Sequence, residues 1–226
     1  MRGNFDETYH HIEAPTVSNQ EIWKTQHKRV LYVPELNDNL PEYYSTKLLW
    51  YLSTLPWNYK RKFDGSNIRV KWDGNRVLWN GKTNNFTSNT ELDEYMSKTF
   101  PEELFEEKFG RESTVLLFGE LMGPKVQGNS LNLEKREVIL FDVKINKSWL
   151  NPQNVQDIAQ HFWLRDFNDF MPSHKPDTLI NLIHRVKEGE FADWEGIVSS
   201  PLIGCQDFSG HRVICKIKNQ DYLPKS

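Results

Sequence analysis

The stretch Lys62-Phe63-Asp64-Gly65 places a lysine two residues before an Asp-Gly pair. A lysine amine can attack phosphorus and carry a covalently bound group, but only in its uncharged form. Most lysine is protonated at neutral pH, so such a nucleophile needs burial or neighbouring positive charge. The same pattern of residues also arises by chance, and the lysine is then an ordinary solvated side chain before a turn. The stretch therefore predicts a nucleophile at Lys62 only if other residues support it.

The segment Lys216-Ile217-Lys218 near the end of the chain could supply that charge. Alternate residues of a strand share a face, so the two lysines point one way. Val213, Cys215 and Ile217 then point into the core. Two lysines on one strand face form a phosphate site, although this segment taken alone would favour a solvated strand face.

Further segments follow the lysine in a fixed order. They are Gly81-Lys82-Thr83, Phe118-Gly119-Glu120-Leu121, Leu140-Phe141-Asp142-Val143, Glu195-Gly196-Ile197-Val198 and Lys216-Ile217-Lys218. In order and spacing, the set over residues 60–222 resembles the six motifs of the covalent nucleotidyltransferase superfamily. That superfamily contains ATP-dependent DNA ligases, RNA ligases and mRNA capping enzymes.

Details after the nucleophile favour one branch of the superfamily. Gly65-Ser66-Asn67 resembles RNA ligases of the phage double-strand-sealing type and the editing ligases, since DNA ligases usually carry arginine where Asn67 stands. A basic residue before threonine, here Lys82, also lies twenty residues past Lys62. Two residues depart from the pattern. Arg61 stands where glutamate is common, and Lys82 stands where arginine is common, which puts the details of nucleotide gripping in doubt.

The resemblance implies a three-stage reaction and roles for individual residues. Lys62 would displace pyrophosphate from ATP to form lysyl-AMP, AMP would pass to a 5′-phosphate end, and a 3′-hydroxyl would seal the strand. Phe141 would stack on adenine, Lys82 would contact the sugar or phosphates, and Asn67 would hold the terminal nucleotide or order the loop after Lys62. The implied substrate is RNA, as a nicked duplex or an RNA/DNA hybrid.

Three acids at the motif positions would serve a divalent cation. Mg²⁺ prefers oxygen ligands and keeps several waters, so Asp64, Glu120 and Glu195 would hold Mg²⁺ or Mn²⁺ partly through water. Each could instead be a surface charge. Glu120 is the hardest to explain in that way, because it interrupts the apolar run VLLFGEL, where a carboxylate needs a partner.

Two classes of alternative remain open. One is another member of the superfamily, a minimal DNA ligase or a capping-type enzyme. The other is a non-catalytic protein that binds nucleic-acid ends, which the net charge of −3 and the lack of a further domain after Lys218 weakly favour. The intact lysine and the three acids argue against it. A partner chain could replace the C-terminal domain that ligases normally carry.

The pattern of strands and helices around these residues predicts an α+β domain. Residues 67–72 and 76–79 alternate as short strands joined by a hairpin turn at Asp73-Gly74-Asn75. Helical patterns follow at 90–109, where Pro101 interrupts the pattern, and at 151–163 and 177–188. This pattern predicts mainly antiparallel sheets flanked by helices, with no C-terminal OB-type domain. We expect residues 1–40 to form an N-terminal arm and residues 41–226 the nucleotidyltransferase domain, with a strand at 30–33 and a helix at 42–54.

Composition and the length of apolar runs indicate the cellular compartment of the protein. Hydrophobic residues make up 38% of the 226, with no apolar run long enough for a signal peptide or a bilayer-spanning helix. The sequence therefore predicts a cytoplasmic protein without a membrane partner, which would include a phage protein in its host. Two cysteines, Cys205 and Cys215, form no disulfide framework or metal motif, so reduced thiols are expected.

Overall fold

The computed structural model describes Gly3 and residues 52–126, 131–170, 175–206 and 212–221. Its contacts divide the chain into two compact units. Unit 1 contains Gly3 and the described residues 64–170, and unit 2 contains residues 52–63 and 175–221. Apart from Gly3, the expected arm lies outside the described residues, and so do the expected strand at 30–33 and most of the helix at 42–54.

Unit 1 is built on a six-stranded sheet with helices. Its elements are β2 (Ser66–Trp72), β3 (Val77–Gly81), α1 (Thr90–Thr99), α2 (Glu102–Phe109), β4 (Val115–Met122), β5 (Glu137–Ile145), β6 (Ser148–Trp149), α3 (Pro152–His161), β7 (Arg165–Asp166) and a 3₁₀ turn at Phe167–Phe170. The strand order is β3-β2-β4-β5-β6 with antiparallel neighbours, and the short β7 pairs with β5 in parallel.

Local sequence explains these elements. Ile68, Val70 and Trp72 of β2 are buried, as their alternation predicts, and Asp73 with Gly74 (φ 96°) turns the chain into β3. Helix α1 begins at Asn89, whose side chain accepts a hydrogen bond from the Leu92 amide. Pro101 then separates α1 from α2, because proline cannot continue the hydrogen-bond ladder of a helix. The apolar sides of these elements form an aromatic core.

Unit 2 contains a four-stranded sheet and one described helix. Its elements are β1 (Pro56–Lys62), β8 (Asp177–Thr178), α4 (Leu179–Lys187), β9 (Gly196–Pro201), β10 (Cys215–Lys218) and a 3₁₀ turn at Asn219–Asp221. The strand order is β10-β9-β1-β8, with antiparallel neighbours throughout. Leu179, Leu182 and Val186 form the buried stripe of α4, so helical spacing explains its orientation.

The α+β class and the mainly antiparallel sheets are confirmed, whereas the division into two units is not visible in the sequence. Cys205 and Cys215 are both free thiols, and burial raises the pKa of Cys215 well above its ordinary value. Across the described ranges, every helix is too short or too polar to cross a bilayer.

Candidate active site

One face of the unit 2 sheet gathers four lysines. Gly196 of β9 lies opposite Lys62 of β1 on one side and Lys218 of β10 on the other. Two residues further along, Val198 lies opposite Lys60 and Lys216 in the same way. Side chains of directly opposed residues share a face, and alternate residues of a strand do as well. Three strands therefore combine into one lysine face, defined as Lys60, Lys62, Lys216 and Lys218.

Sequence reasoning missed Lys60 as part of this face. The signal was present, because Lys60 stands two residues before Lys62 in a strand. The sequence could not show the strand order that places β1 and β10 on opposite sides of β9, nor the register that aligns their lysines.

Glu195 joins the two lysines at the end of this face. One of its carboxylate oxygens, Oε2, accepts a hydrogen bond from the Lys62 ammonium, and Oε1 lies 3.1 Å from Nζ of Lys218. The side chains of all three residues are 22% exposed. Three residues far apart in sequence thus form a compact charge cluster, in which one carboxylate is shared by two ammonium groups.

Backbone contacts fix the position of Glu195. The Asn219 amide N–H donates to the Glu195 carbonyl at 3.0 Å, and the Asn219 side chain donates to the carbonyls of Trp194 (2.7 Å) and Phe191. A Cβ on Gly196 (φ 151°) would collide with the Ile217 carbonyl oxygen, so β9 can approach β10 only with glycine here. Asn219 was not found from the sequence, since an asparagine just after a strand usually indicates only a turn.

Arg61, the departure from the ligase pattern, occupies the opposite face of β1. Its guanidinium carbon lies 5.4 Å from the Trp194 ring centroid and 6.0 Å from that of Phe63. Burial lowers the pKa of Arg61, and the nearby Asp193 carboxylate opposes that shift. Arg61 is therefore a cation packed on aromatic rings. Because the Arg61 side chain does not lie on the lysine face, the presence of arginine instead of the glutamate common in ligases leaves that face unchanged.

Unit 1 assembles the acids near the start of β2. Asn67 lies directly opposite Glu120 of β4, and Oε1 of Glu120 accepts a hydrogen bond from the Gly65 amide at 3.2 Å. A carboxylate within an apolar strand needs a hydrogen-bond donor, and the Gly65 amide supplies one to Glu120. Asp64 is half-buried and has no hydrogen bond or ion pair with any residue that the structure describes. Two carboxylates and an amide side chain thus flank the glycine of the lysine motif.

Phe141 lies on the same face of the unit 1 sheet as Asn67 and Glu120. Register places Arg69 opposite Phe118, two residues along from the Asn67–Glu120 pair, and Phe141 packs against Phe118. A shift in the β4–β5 register leaves Phe141 as the extra residue of a bulge, which can redirect a side chain out of the regular alternation. The half-buried ring thus lies on the face that carries the polar residues.

Lys82 follows β3 in an exposed turn that buried groups hold in place. Arg69, fully buried, donates from Nε to the Gly81 carbonyl at 2.7 Å and from Nη2 to Oδ1 of Asn84 at 3.1 Å. The buried Asn80 side chain accepts from the Gly81 amide and donates to the Gly3 carbonyl at 3.1 Å. The turn that carries Lys82 is therefore fixed at both ends.

The acids fit a hard divalent cation by their chemistry. Asp64 and Glu120 in unit 1, and Glu195 in unit 2, offer only carboxylate oxygens, which suit Mg²⁺ or Mn²⁺. Among the residues that the structure describes, no three or more histidine, cysteine or acidic side chains are grouped so that they could hold a metal ion. A cation bound to the acids of either unit would complete its coordination with water and phosphate oxygens, as Mg²⁺ commonly does.

Comparison with solved structures identifies the fold. No protein-family model matches this chain, and no curated protein sequence matches it. A mutant of Naegleria gruberi RNA ligase with ATP and Mn superposes with a TM-score of 0.57 at 16% identity, over 78% of this chain and 53% of that one. The same values describe Naegleria gruberi RNA ligase with PPi. The chain has the fold of an RNA ligase.

A third solved structure has the same fold, and the match covers only part of each chain. Another Naegleria gruberi RNA ligase mutant, with AMP and Mn, gives a TM-score of 0.55 at 15% identity over 76% of this chain and 52% of that one. This chain spans about half the length of these ligase chains. The RNA-ligase fold confirms the fold implied by the motif resemblance.

Gly65→Ala tests whether the motif glycine serves the close approach to Glu120. A Cβ at position 65 would lie 2.5 Å from the Leu121 carbonyl oxygen and collide with the Met122 sulfur. The loop must then move away from β4, and the hydrogen bond to Glu120 is lost. We expect the initial rate of AMP labelling from ATP to fall about 10- to 100-fold, as for a lost bond to a charged group. Gly204→Ala, which meets no atom within 4 Å, is the matched control and should label normally.

Proposed function

We propose that this protein is an ATP-dependent RNA ligase that forms a covalent lysyl-AMP intermediate on Lys62. The observation that carries the proposal is the cluster of Lys62, Glu195 and Lys218 in unit 2. Among the described lysines of unit 2, Lys62 alone begins the Lys-x-Asp-Gly pattern, and it is held by an acid from another motif. The RNA-ligase fold and the Naegleria gruberi RNA ligase structures with ATP, AMP, Mn and PPi support the same chemistry.

In the first step, the uncharged Nζ of Lys62 forms a bond to the α-phosphorus of ATP. The bond from that phosphorus to the bridging oxygen breaks, pyrophosphate leaves, and the amine loses a proton. Lys216 and Lys218 share the face of Lys62, so their ammonium groups can offset phosphate charge as it redistributes. Glu195 orients Lys62 through their hydrogen bond. A divalent cation, when bound, would neutralise phosphate charge and favour the uncharged amine.

Unit 1 supplies the groups that hold the nucleotide. Phe141 offers an aromatic face to adenine, worth about 1–3 kcal/mol for a stacked base. Lys82, on its fixed turn, reaches the ribose or phosphates as a point charge. Asp64 and Glu120 provide oxygens for Mg²⁺ or Mn²⁺ in unit 1, and Glu195 provides carboxylate oxygens in unit 2. In these assignments unit 1 binds the nucleotide, and unit 2 supplies the nucleophile and the lysines beside it.

The second and third steps act on a polynucleotide. A 5′-phosphate oxygen attacks the phosphorus of lysyl-AMP and frees Lys62, and a 3′-hydroxyl then attacks the activated 5′-phosphorus and releases AMP. We assign RNA as the substrate, in a nicked duplex or an RNA/DNA hybrid, with Asn67 contacting the terminal nucleotide. The support is the Gly65-Ser66-Asn67 pattern together with the RNA-ligase fold.

Mass spectrometry of the intact protein tests the proposal directly. Incubation with ATP and Mg²⁺ should add one AMP, pyrophosphate should remove it, and EDTA should prevent its formation. GTP should give no adduct, and the adenylylated protein should seal a nicked duplex with RNA at the nick. An adduct formed only from GTP would identify a capping-type enzyme, sealing of DNA alone a DNA ligase, and the absence of any adduct a non-catalytic protein.

A further inference from the structure

A second feature of unit 1 lies apart from every residue of the candidate active site. It is a cleft of about 450 Å³ among the end of α1, the start of β5 and the segment that follows α3. Its lining includes Lys98, Arg136, Arg165 and Trp163, and it contains none of the motif residues. We call it the Trp163 cleft.

Trp163 is unusual in both exposure and backbone conformation. Its side chain is 81% exposed, and its φ of 53° lies in the left-handed region. The residue closes α3, since the Leu164 amide donates to the Ala159 carbonyl at 2.8 Å. Glycine is the usual residue at such a helix end, and a bulky side chain there is strained. Backbone strain of this kind, carried by a large apolar side chain in solvent, points to a binding role.

The charges around Trp163 indicate the kind of ligand. Lys98, Arg136 and Arg165 line the cleft together with the Glu137 carboxylate, and Arg136 also pairs at 3.1 Å with Glu91, which lies outside the lining. Glu137 accepts from Nε of Arg165 at 2.6 Å, and no described residue forms an ion pair with Lys98. The Arg165–Glu137 pair is exposed to solvent, and ion pairs of this kind contribute little to stability, so a phosphate can compete for Arg165. In a protein with a net charge of −3, this is a cationic cleft beside an exposed indole.

We propose that the Trp163 cleft binds a single-stranded segment of RNA. The indole stacks on one base, while Lys98 and Arg165 contact the phosphates on either side of it. Flat aromatic stacking combined with cationic side chains is how proteins hold single strands without reading their sequence. Only the choice of RNA over DNA rests on the proposed function. The cleft would bind the RNA strand without taking part in adenylylation.

The decisive variant is Trp163→Gly in the full chain. Glycine relieves the left-handed backbone, so the Tm should stay the same or rise, whereas loss of stacking should weaken binding. We expect the Kd for a fluorescent oligouridylate of about ten nucleotides to rise about 5- to 100-fold, measured by anisotropy without ATP. A residue that only ended a helix would show no such loss of affinity.

A matched pair of lysines tests the charge contribution independently. Lys98 and Lys108 each lie in the last turn of a helix and are exposed, but only Lys98 lines the cleft. Lys98→Ala should weaken binding of the oligouridylate and reduce its salt dependence, while Lys108→Ala should change neither. The proposal is overturned if Trp163→Gly and Lys98→Ala both bind like the unaltered protein, as they would if the cleft served a protein partner.

Repeating the binding assay with Lys62→Ala separates this inference from the proposed function. That variant cannot form lysyl-AMP, yet its affinity for the oligouridylate should still depend on Trp163. Failure of AMP labelling with intact Trp163-dependent binding would reject the ligase assignment alone. Labelling without Trp163-dependent binding would reject the cleft alone.

Discussion

Lys62→Arg is expected to abolish labelling by ATP as completely as Lys62→Ala. Arginine preserves the positive charge and can still pair with Glu195, so the fold and the charge cluster should persist. A guanidinium is effectively never deprotonated in proteins, however, and cannot attack phosphorus. We expect labelling to fall by at least about a thousandfold in both variants, because the nucleophile itself is lost.

Peptide mapping after ATP treatment gives the measurement for Lys62. AMP should be found on the peptide that contains Lys62, and pyrophosphate should remove it. Lys108→Ala, an exposed lysine on α2, is the control and should label like the unaltered protein. Labelling of Lys62→Arg at another residue, for example Lys60 or Lys216 on the lysine face, would show that the nucleophile has been assigned wrongly.

Glu195→Gln is expected to cause the next largest loss. The carboxylate accepts from Lys62 on one oxygen and lies against Lys218 with the other. Glutamine has one oxygen acceptor, and its NH₂ group would face a lysine as donor against donor. The neutral amide also attracts Mg²⁺ poorly. We therefore expect adenylylation to fall about 100-fold or more, in the range seen when one preorganised hydrogen-bonding group is removed from an oxyanion hole.

Rates at saturating Mg²⁺ decide the role of Glu195. Glu195→Asp keeps the charge on a shorter stem and should retain more activity than Glu195→Gln. Glu188→Gln removes an exposed carboxylate at the end of α4 and serves as the control, with no expected change in rate. A normal adenylylation rate for Glu195→Gln at saturating Mg²⁺ would exclude a charge-dependent role for this residue.

The elements of the fold followed closely from local sequence patterns. The alternation of Ile68, Val70 and Trp72 predicted β2, and the Asp-Gly turn predicted its hairpin with β3. Pro101 predicted the interruption between α1 and α2. These features depend on side-chain periodicity and on backbone restrictions at glycine and proline, which act within a few residues and can be recognised in the sequence.

Partnerships between distant residues required the tertiary structure. Lys62 and Glu195 are separated by 133 positions, and their contact depends on the register of β1 with β9. The inclusion of Lys60 in the lysine face depends on the same register, whereas the support of Glu195 by Asn219 depends on the register of β10 with β9. Strand order and register result from long-range packing, so local spacing does not determine them.

Residue types and their order in the chain predicted its chemistry and its fold class. A lysine before Asp-Gly, acids at three motif positions and a lysine pair near the end predicted a phosphate-directed set of residues, and short alternating segments predicted the α+β class. Packing of distant segments brought particular groups together: Glu195 contacts Lys62 and Lys218, Glu120 accepts a hydrogen bond from the Gly65 amide, and Arg61 packs on aromatic rings. It also placed an exposed Trp163 beside three cations, because contacts between separate helices and strands arise only when the whole chain packs.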